Sequence, residues 1–121
     1  DKIKGVFERT LTTIENCQKV GVRLGFGSDL LGSNFHELQG EEFHHRSLVG
    51  NSFDILRSAT SENAAILQQE GRLGCIKEKA LADIIVLDFD PFSDLRPFGR
   101  ANESIPFIMK NGDIVRNRLG I

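Results

Sequence analysis

The chain has 121 residues, 40% hydrophobic and 26% charged, with a formal net charge of −2. That is enough chain for one buried core and too little to close an eightfold β/α barrel, which takes roughly 250 residues. Acidic and basic residues are interspersed, so no basic stripe marks a nucleic-acid partner, and no run approaches the ~18 apolar residues that cross a membrane.

The sequence starts on Asp1 rather than Met, without a basic stretch leading into an apolar one. The expectation is a processed, truncated or tag-cleaved chain of cytoplasmic location. Cys17 and Cys75 lie in no metal-type spacing. Two buried free thiols are expected, as in a reducing compartment, although sequence alone leaves a disulfide open.

In chain order, Phe7, Leu11, Ile14 and Cys17 recur every three to four residues, with Glu8, Thr12, Glu15 and Lys19 facing elsewhere. This predicts an amphipathic helix over 5–20, closed by Gly21 in the left-handed region. Residues 22–27 predict a short strand, and so close a helix-to-strand join is typical of an α/β unit. Ser28 and Asp29 fall at its exit. Residues 30–40 predict a loop, and 41–49 a helical turn or two. Ser52 is placed to cap the next helix, with Asp54 in its first turn. Phe53, Leu56, Ala59 and Asn63 share one side of it. Thr60 and Ser61 predict a break, then a second helix to Gln69. Past Gly71 the pattern changes. Short strands are expected at 75–76, at 82–87 (interrupted only by Asp83) and at 105–109. Asn111 and Gly112 signal a two-residue hairpin that returns through Ile114 and Val115. Residues 1–70 thus read as α/β in style and 71–121 as mostly β.

A carboxylate just beyond a strand's C-terminal end is where α/β enzymes place catalytic groups, and Asp29 holds that position. On position alone, an aspartate there is more often a turn or cap residue. Longer motifs change the balance. Gly-Val-Arg-Leu-Gly-Phe-Gly-Ser-Asp-Leu at 21–30 resembles the eighth barrel strand of the amidohydrolase superfamily. Ile-Leu-Arg-Ser-Ala-Thr-Ser-Glu-Asn-Ala-Ala at 55–65 resembles the helices that follow it. Gly-Arg-Leu-Gly-Cys-Ile at 71–76, Ala-Asp-Ile-Ile-Val-Leu-Asp at 82–88, Asp90 with Pro91, and the stretch 108–115 resemble the return into that family's small β domain. The loop Leu-Gln-Gly-Glu-Glu-Phe at 38–43 is most similar to the imidazolonepropionase and Xaa-Pro dipeptidase (prolidase)-like branch.

The resemblance implies an α/β fold: the C-terminal part of a metal-dependent hydrolase TIM (β/α)8 barrel, with its last helices and strand eight in 1–70, and strands of a small composite β-sandwich in 71–121. It implies Asp29 as metal ligand and catalytic proton shuttle in the hydrolysis of a small amide, dipeptide or cyclic amide. The cofactor implied is a divalent metal, zinc, in the intact enzyme, with none expected on this chain alone. The family's His-x-His and its later histidine ligands have no match here. His36, His44 and His45 all follow the strand-eight aspartate, so a missing N-terminal portion is expected to carry those ligands. His36 is a candidate substrate-binding residue, against the plainer reading of a solvated loop histidine. Glu41 and His45, at i and i+4, could pair on a metal or simply face solvent. Asp83 is expected to cap a turn and Arg57 to form an ion pair. The family often has Gly where this chain has Lys79, so a different turn is expected there, since lysine tolerates positive φ poorly. The competing expectation is a non-catalytic helix-plus-sheet module that self-associates through an orphaned strand, or docks on a partner chain supplying the rest.

Overall fold

The computed structural model describes residues 2–30 and 32–120, with side chains from Lys4 onward. Asp1, on which the expectation of a processed start rests, and Leu31, within the expected loop, lie outside them.

Helix α1 spans Lys2–Lys19. Gly21, at φ 74°, ends it as expected. The Val22 N–H donates to the Cys17 carbonyl at 2.9 Å and the Gly21 N–H to Gln18 at 3.1 Å, the paired bonds of a Schellman close. The strand expected over 22–27 is not formed. Residues 22–30 run without a hydrogen-bonded strand neighbour among the described residues, and a strand exists only through its ladder.

The expected loop contains a 3-10 helix, Ser33–Leu38, followed by α2, Glu41–Ser47. Helix α3, Ser52–Arg57, is capped one residue earlier than expected, by Asn51 rather than Ser52. The Asn51 Oδ1 accepts the Asp54 N–H at 3.0 Å. No break occurs at Thr60. Its hydroxyl donates back to the Leu56 carbonyl at 2.7 Å, so it does not restart a cap, and the helix passes through a π turn, Ser58–Glu62, into α4, Asn63–Ile66. The buried face also differs: Phe53 is 56% exposed, whereas Ile55 is 4% exposed.

Three antiparallel strands follow in the order β1-β2-β3: β1 Ile84–Val86, β2 Phe107–Lys110 and β3 Asp113–Asn117. Ile85 pairs with Ile108, and Ile108 with Arg116 before a register shift. Asn111 and Gly112, at φ 52° and 88°, make the expected hairpin turn with both central residues left-handed. No strand forms at 75–76; the neighbouring feature is a lone bridge between Glu70 and Leu73, and Ile76 is 89% exposed. Both cysteines are free and half-buried rather than buried. Between β1 and β2 stand a 3-10 helix, Arg96–Arg100, and α5, Ala101–Ser104. Leu95 and Phe98, three apart, turn one side of this stretch inward, a helical spacing inside a segment that reads as strands and turns.

Leu95, Phe98 and Ile105 join Ile55 in the core, with Phe26, Phe43, Leu87 and Phe89 packed against them. The core therefore draws on both sides of residue 70. Rings connect it: Phe26 to Phe43 at 4.3 Å, Phe43 stacked on Phe98 at 3.9 Å, and Phe89 edge-on to Phe98 at 5.1 Å. The approach is close, since a Cβ on Gly40, just before α2, would lie 1.9 Å from the Phe98 carbonyl oxygen.

Asp83 is structural, as expected. Its carboxylate pairs with the Lys110 ammonium and accepts the Asn111 N–H at 2.7 Å, tying the hairpin to the start of β1. The Lys110 hydrogen bond, and then the Asn111 N–H, hold the carboxyl below its usual range. Lys79 sits at φ 69°, so lysine occupies the left-handed position where a different turn was expected; it is exposed and its side chain is not forced against a neighbour's packing.

Three outcomes follow for stability. Asn51→Ala removes the α3 cap and is expected to lower stability by about 1 kcal/mol in urea unfolding. Lys79→Gly relieves a left-handed strain of about 1–2 kcal/mol against roughly 0.5–1 kcal/mol of added chain freedom, so a small rise in the urea midpoint is expected and a fall would reject the assigned turn. Because the Asp83 value is depressed on folding, its contribution is present above the unfolded carboxylate value of about 3.9 and is lost as pH falls through the lower folded value. The stability difference between wild type and Asp83→Asn should thus be widest near neutral pH and close in strong acid; a difference independent of pH would refute the assignment.

Candidate functional site

The site is built on 22–30. Without a strand partner among the described residues, this run has backbone groups that find others, since a polar group buried without a partner is costly. Side chains from the next helices supply them. The Ser58 hydroxyl donates to the Leu24 carbonyl at 2.7 Å. The Arg46 Nη2 donates to the Gly25 carbonyl at 3.1 Å, and its Nε to Glu42 Oε1 at 2.6 Å. Asn63 engages Phe26 twice: its Oδ1 accepts the Phe26 N–H at 2.9 Å and its Nδ2 donates to the Phe26 carbonyl at 2.8 Å. The Arg46 guanidinium also lies 5.7 Å from the centre of the Phe26 ring. Three consecutive residues are therefore held by three side chains from α2, the π turn and α4.

The π turn matters to this arrangement. In a regular α-helix, residues five apart stand about 140° apart around the axis. The wider turn over Ser58–Glu62, with its i→i+5 bonding, brings Ser58 and Asn63 round toward the same segment. Glycine at 25 is needed too, because a Cβ there would lie 2.8 Å from the Asn63 Oδ1.

Asp29 comes three residues after Phe26. It is exposed and sits at φ 48°, a conformation aspartate tolerates better than most residues. His36 is exposed on the 3-10 helix. A groove of about 920 Å³ runs along the first half of the segment, between Val22, Arg23, Leu24 and Phe26 on one side and Gln18, Asp54 and Ser58 on the other. Among the described residues, neither Asp29 nor His36 lines it. It belongs to the entry end of the segment, whereas Asp29 is at the exit.

The other residues named from sequence are not gathered with Asp29. Glu41 lies against Gly99, and the His45 ring meets Phe7 edge-on at 5.2 Å, so these two address different neighbours. The His44 Nδ1 is buried without a hydrogen-bond partner among the described residues. Arg57 pairs with Glu62, as expected for an ion-pair role, and Arg23 reaches the same carboxylate at 3.1 Å. No group of three His, Cys, Asp or Glu side chains is placed to hold a metal among the described residues, and no described helix is long and apolar enough to cross a membrane. Arg46, Ser58 and Asn63 are the residues that sequence reasoning passed over. The signal available was a polar residue, Asn63, on the otherwise apolar side shared by Phe53, Leu56 and Ala59.

The comparisons agree with this architecture. A crystal structure of an amidohydrolase is similar with a TM-score of 0.84 and 36% identity, covering 90% of this chain and 26% of that one. A prolidase complexed with N-methylphosphonate-L-proline gives a TM-score of 0.82 and 35% identity, over 89% of this chain and 26% of that one. A 5-methylthioadenosine/S-adenosylhomocysteine deaminase from Symbiobacterium thermophilum is 28% identical over 88 residues, 64% of this chain and 20% of that protein. The chain thus spans about a quarter of the solved structures it matches and a fifth of that deaminase. The Amidohydrolase family profile matches residues 3–116, and the chain belongs to that family.

Proposed function

We propose that these residues are the C-terminal part of a metal-dependent amidohydrolase, in which 22–27 is strand eight of a (β/α)8 barrel, Asp29 is the carboxylate at its exit, and 71–121 contributes strands to a small β-sandwich. The observation that carries this is an exposed carboxylate at the end of a run whose backbone is fixed by Ser58, Arg46 and Asn63. The reaction is hydrolysis of a carbon–nitrogen bond in a small amide or dipeptide. The likeness to a prolidase complexed with a proline phosphonate favours dipeptides ending in proline, and the deaminase relative belongs to the same broad bond class.

Zinc sites take three or four protein ligands, and the described residues gather no such set. They do not form a metal centre by themselves; Asp29 fits the part of one oxygen ligand, the others coming from polypeptide outside these residues. A divalent metal bound there would supply an acidified water, its pKa lowered from 15.7 to about 7. Asp29 acts as the base that accepts a proton at its carboxylate and returns it to the departing nitrogen. His36, on the 3-10 helix that follows, contacts substrate.

The test compares the 121 residues alone with the full natural polypeptide that contains them. The isolated chain is expected to hold no stoichiometric zinc and to hydrolyse no Xaa-Pro dipeptide. In the full polypeptide, Asp29→Asn is expected to lower kcat by about 10²–10⁴-fold, the range for loss of a general acid–base group. Stoichiometric zinc and turnover in the isolated chain, both lost in Asp29→Asn, would overturn the assignment of the remaining ligands to other polypeptide. Full activity of Asp29→Asn would overturn the assignment of Asp29.

A further inference from the structure

We infer that Asn63, supported by Ser58 and Arg46, is a positioning residue for Asp29, fixing through the Phe26 peptide groups the direction in which the carboxylate leaves the segment. The inference rests on the proposed role of Asp29. A catalytic group is useful only if its backbone is held to a fraction of an ångström, and rigid strands normally supply that restraint. Within this chain the restraint comes from side chains: the amide of Asn63 offers one acceptor and one donor to the N–H and carbonyl of a single residue, at 2.9 and 2.8 Å, in addition to the strands that other polypeptide would set beside this run in the proposed barrel. An asparagine amide carries the acceptor and the donor on separate atoms of one rigid plane.

Only Gly27 and Ser28 separate the held residue from Asp29. A Cβ on Gly27 would meet nothing within 4 Å, so packing does not restrain that link and the clasp at Phe26 is the nearest fixed point. The anchorage is itself braced. Arg46 is clamped by Glu42 at 2.6 Å, and both side chains are mostly covered, at 15% and 21% exposed. The absent side chain of Gly25 leaves the room Asn63 needs, since a Cβ would lie 2.8 Å from its Oδ1. Groups that orient a ligand from behind typically change metal affinity or activity 10–100-fold when altered.

The discriminating variant, in the full natural polypeptide, is Asn63→Asp, which keeps an acceptor for the Phe26 N–H and loses the donor to its carbonyl. The expected result is a kcat lowered about 10–100-fold with KM within about twofold, a zinc dissociation constant raised by a similar factor in chelator competition, and faster hydrogen exchange at the Gly27 amide, which shares its peptide with the released Phe26 carbonyl. Gly25→Ala, which removes no polar group but crowds Asn63, is expected to act in the same direction, and it serves if Asn63→Asp does not fold. Asp83→Asn separates positioning from mere stability: it weakens the tie between the hairpin and the start of β1, away from the clasp, and is expected to leave kcat, KM and zinc affinity unchanged. If Asp29→Asn abolishes turnover while Asn63→Asp and Gly25→Ala keep wild-type kcat and zinc affinity, the positioning role is overturned and the hydrolase reading stands. If Asp29→Asn itself changes neither turnover nor zinc affinity, the reading of Asp29 fails and the positioning role falls with it.

Discussion

Phe26 is the point on which the rest of the structure turns. Its two peptide groups are closed by one asparagine side chain, and its ring begins a series that passes through Phe43 and Phe98 to Phe89. Backbone and side chain thus bind the same residue to different partners: α4 through hydrogen bonds, α2 and the segment after β1 through stacked rings. Neither set would be sufficient alone. Ring burial is strong but weakly directional, so it draws the layers together without fixing the rotation of the chain. The amide pair is directional and fixes that rotation, while the rings supply the close packing that brings the segment to it.

What was legible in the sequence was local. Helix α1 follows from the spacing of Phe7, Leu11, Ile14 and Cys17, its end from Gly21, and the hairpin from Asn111 and Gly112, because each depends on residues within a turn or two. Most of the misreadings come from partners distant in the chain; the cap at Asn51 and the Thr60 hydroxyl are local choices between near-equivalent bonds. A strand over 22–27 requires a neighbour that no local pattern can promise. Thr60 reads as a cap until its hydroxyl is seen turned back on Leu56, which extends the helix. Lys79 at positive φ is tolerated because the surrounding chain determines the turn more firmly than lysine opposes it. The helical stretch containing Phe98 exists because Phe43 and Gly40 receive it, and neither lies near it in sequence.

The candidate site divides in the same way. Asp29 was legible as the end of a motif, since Gly-Phe-Gly-Ser-Asp is continuous in the chain. The clasp was not, since Asn63 and Phe26 are 37 residues apart, and a π turn between Ser58 and Asn63 cannot be read from helical periodicity. A pattern scan based on 3.6 residues per turn places these two on different faces. Only the fact that Asn63 interrupts an apolar stripe hinted that it had a specific task.

The ion pairs and the clasp do different work for the same physical reason. Pairs such as Arg96 with Asp94 and Arg100 with Glu103 have side chains 38–76% exposed, where water competes for both charges and the net gain is small. The bonds to Leu24, Gly25 and Phe26 are half-buried, where water competes less than at those exposed pairs. The run leading to Asp29 is therefore under its tightest restraint a short distance before the carboxylate, by groups that belong to this segment of chain. Under the proposed reading, a site assembled from several directions gains from one member restrained by its own segment of chain, against which the others can be placed.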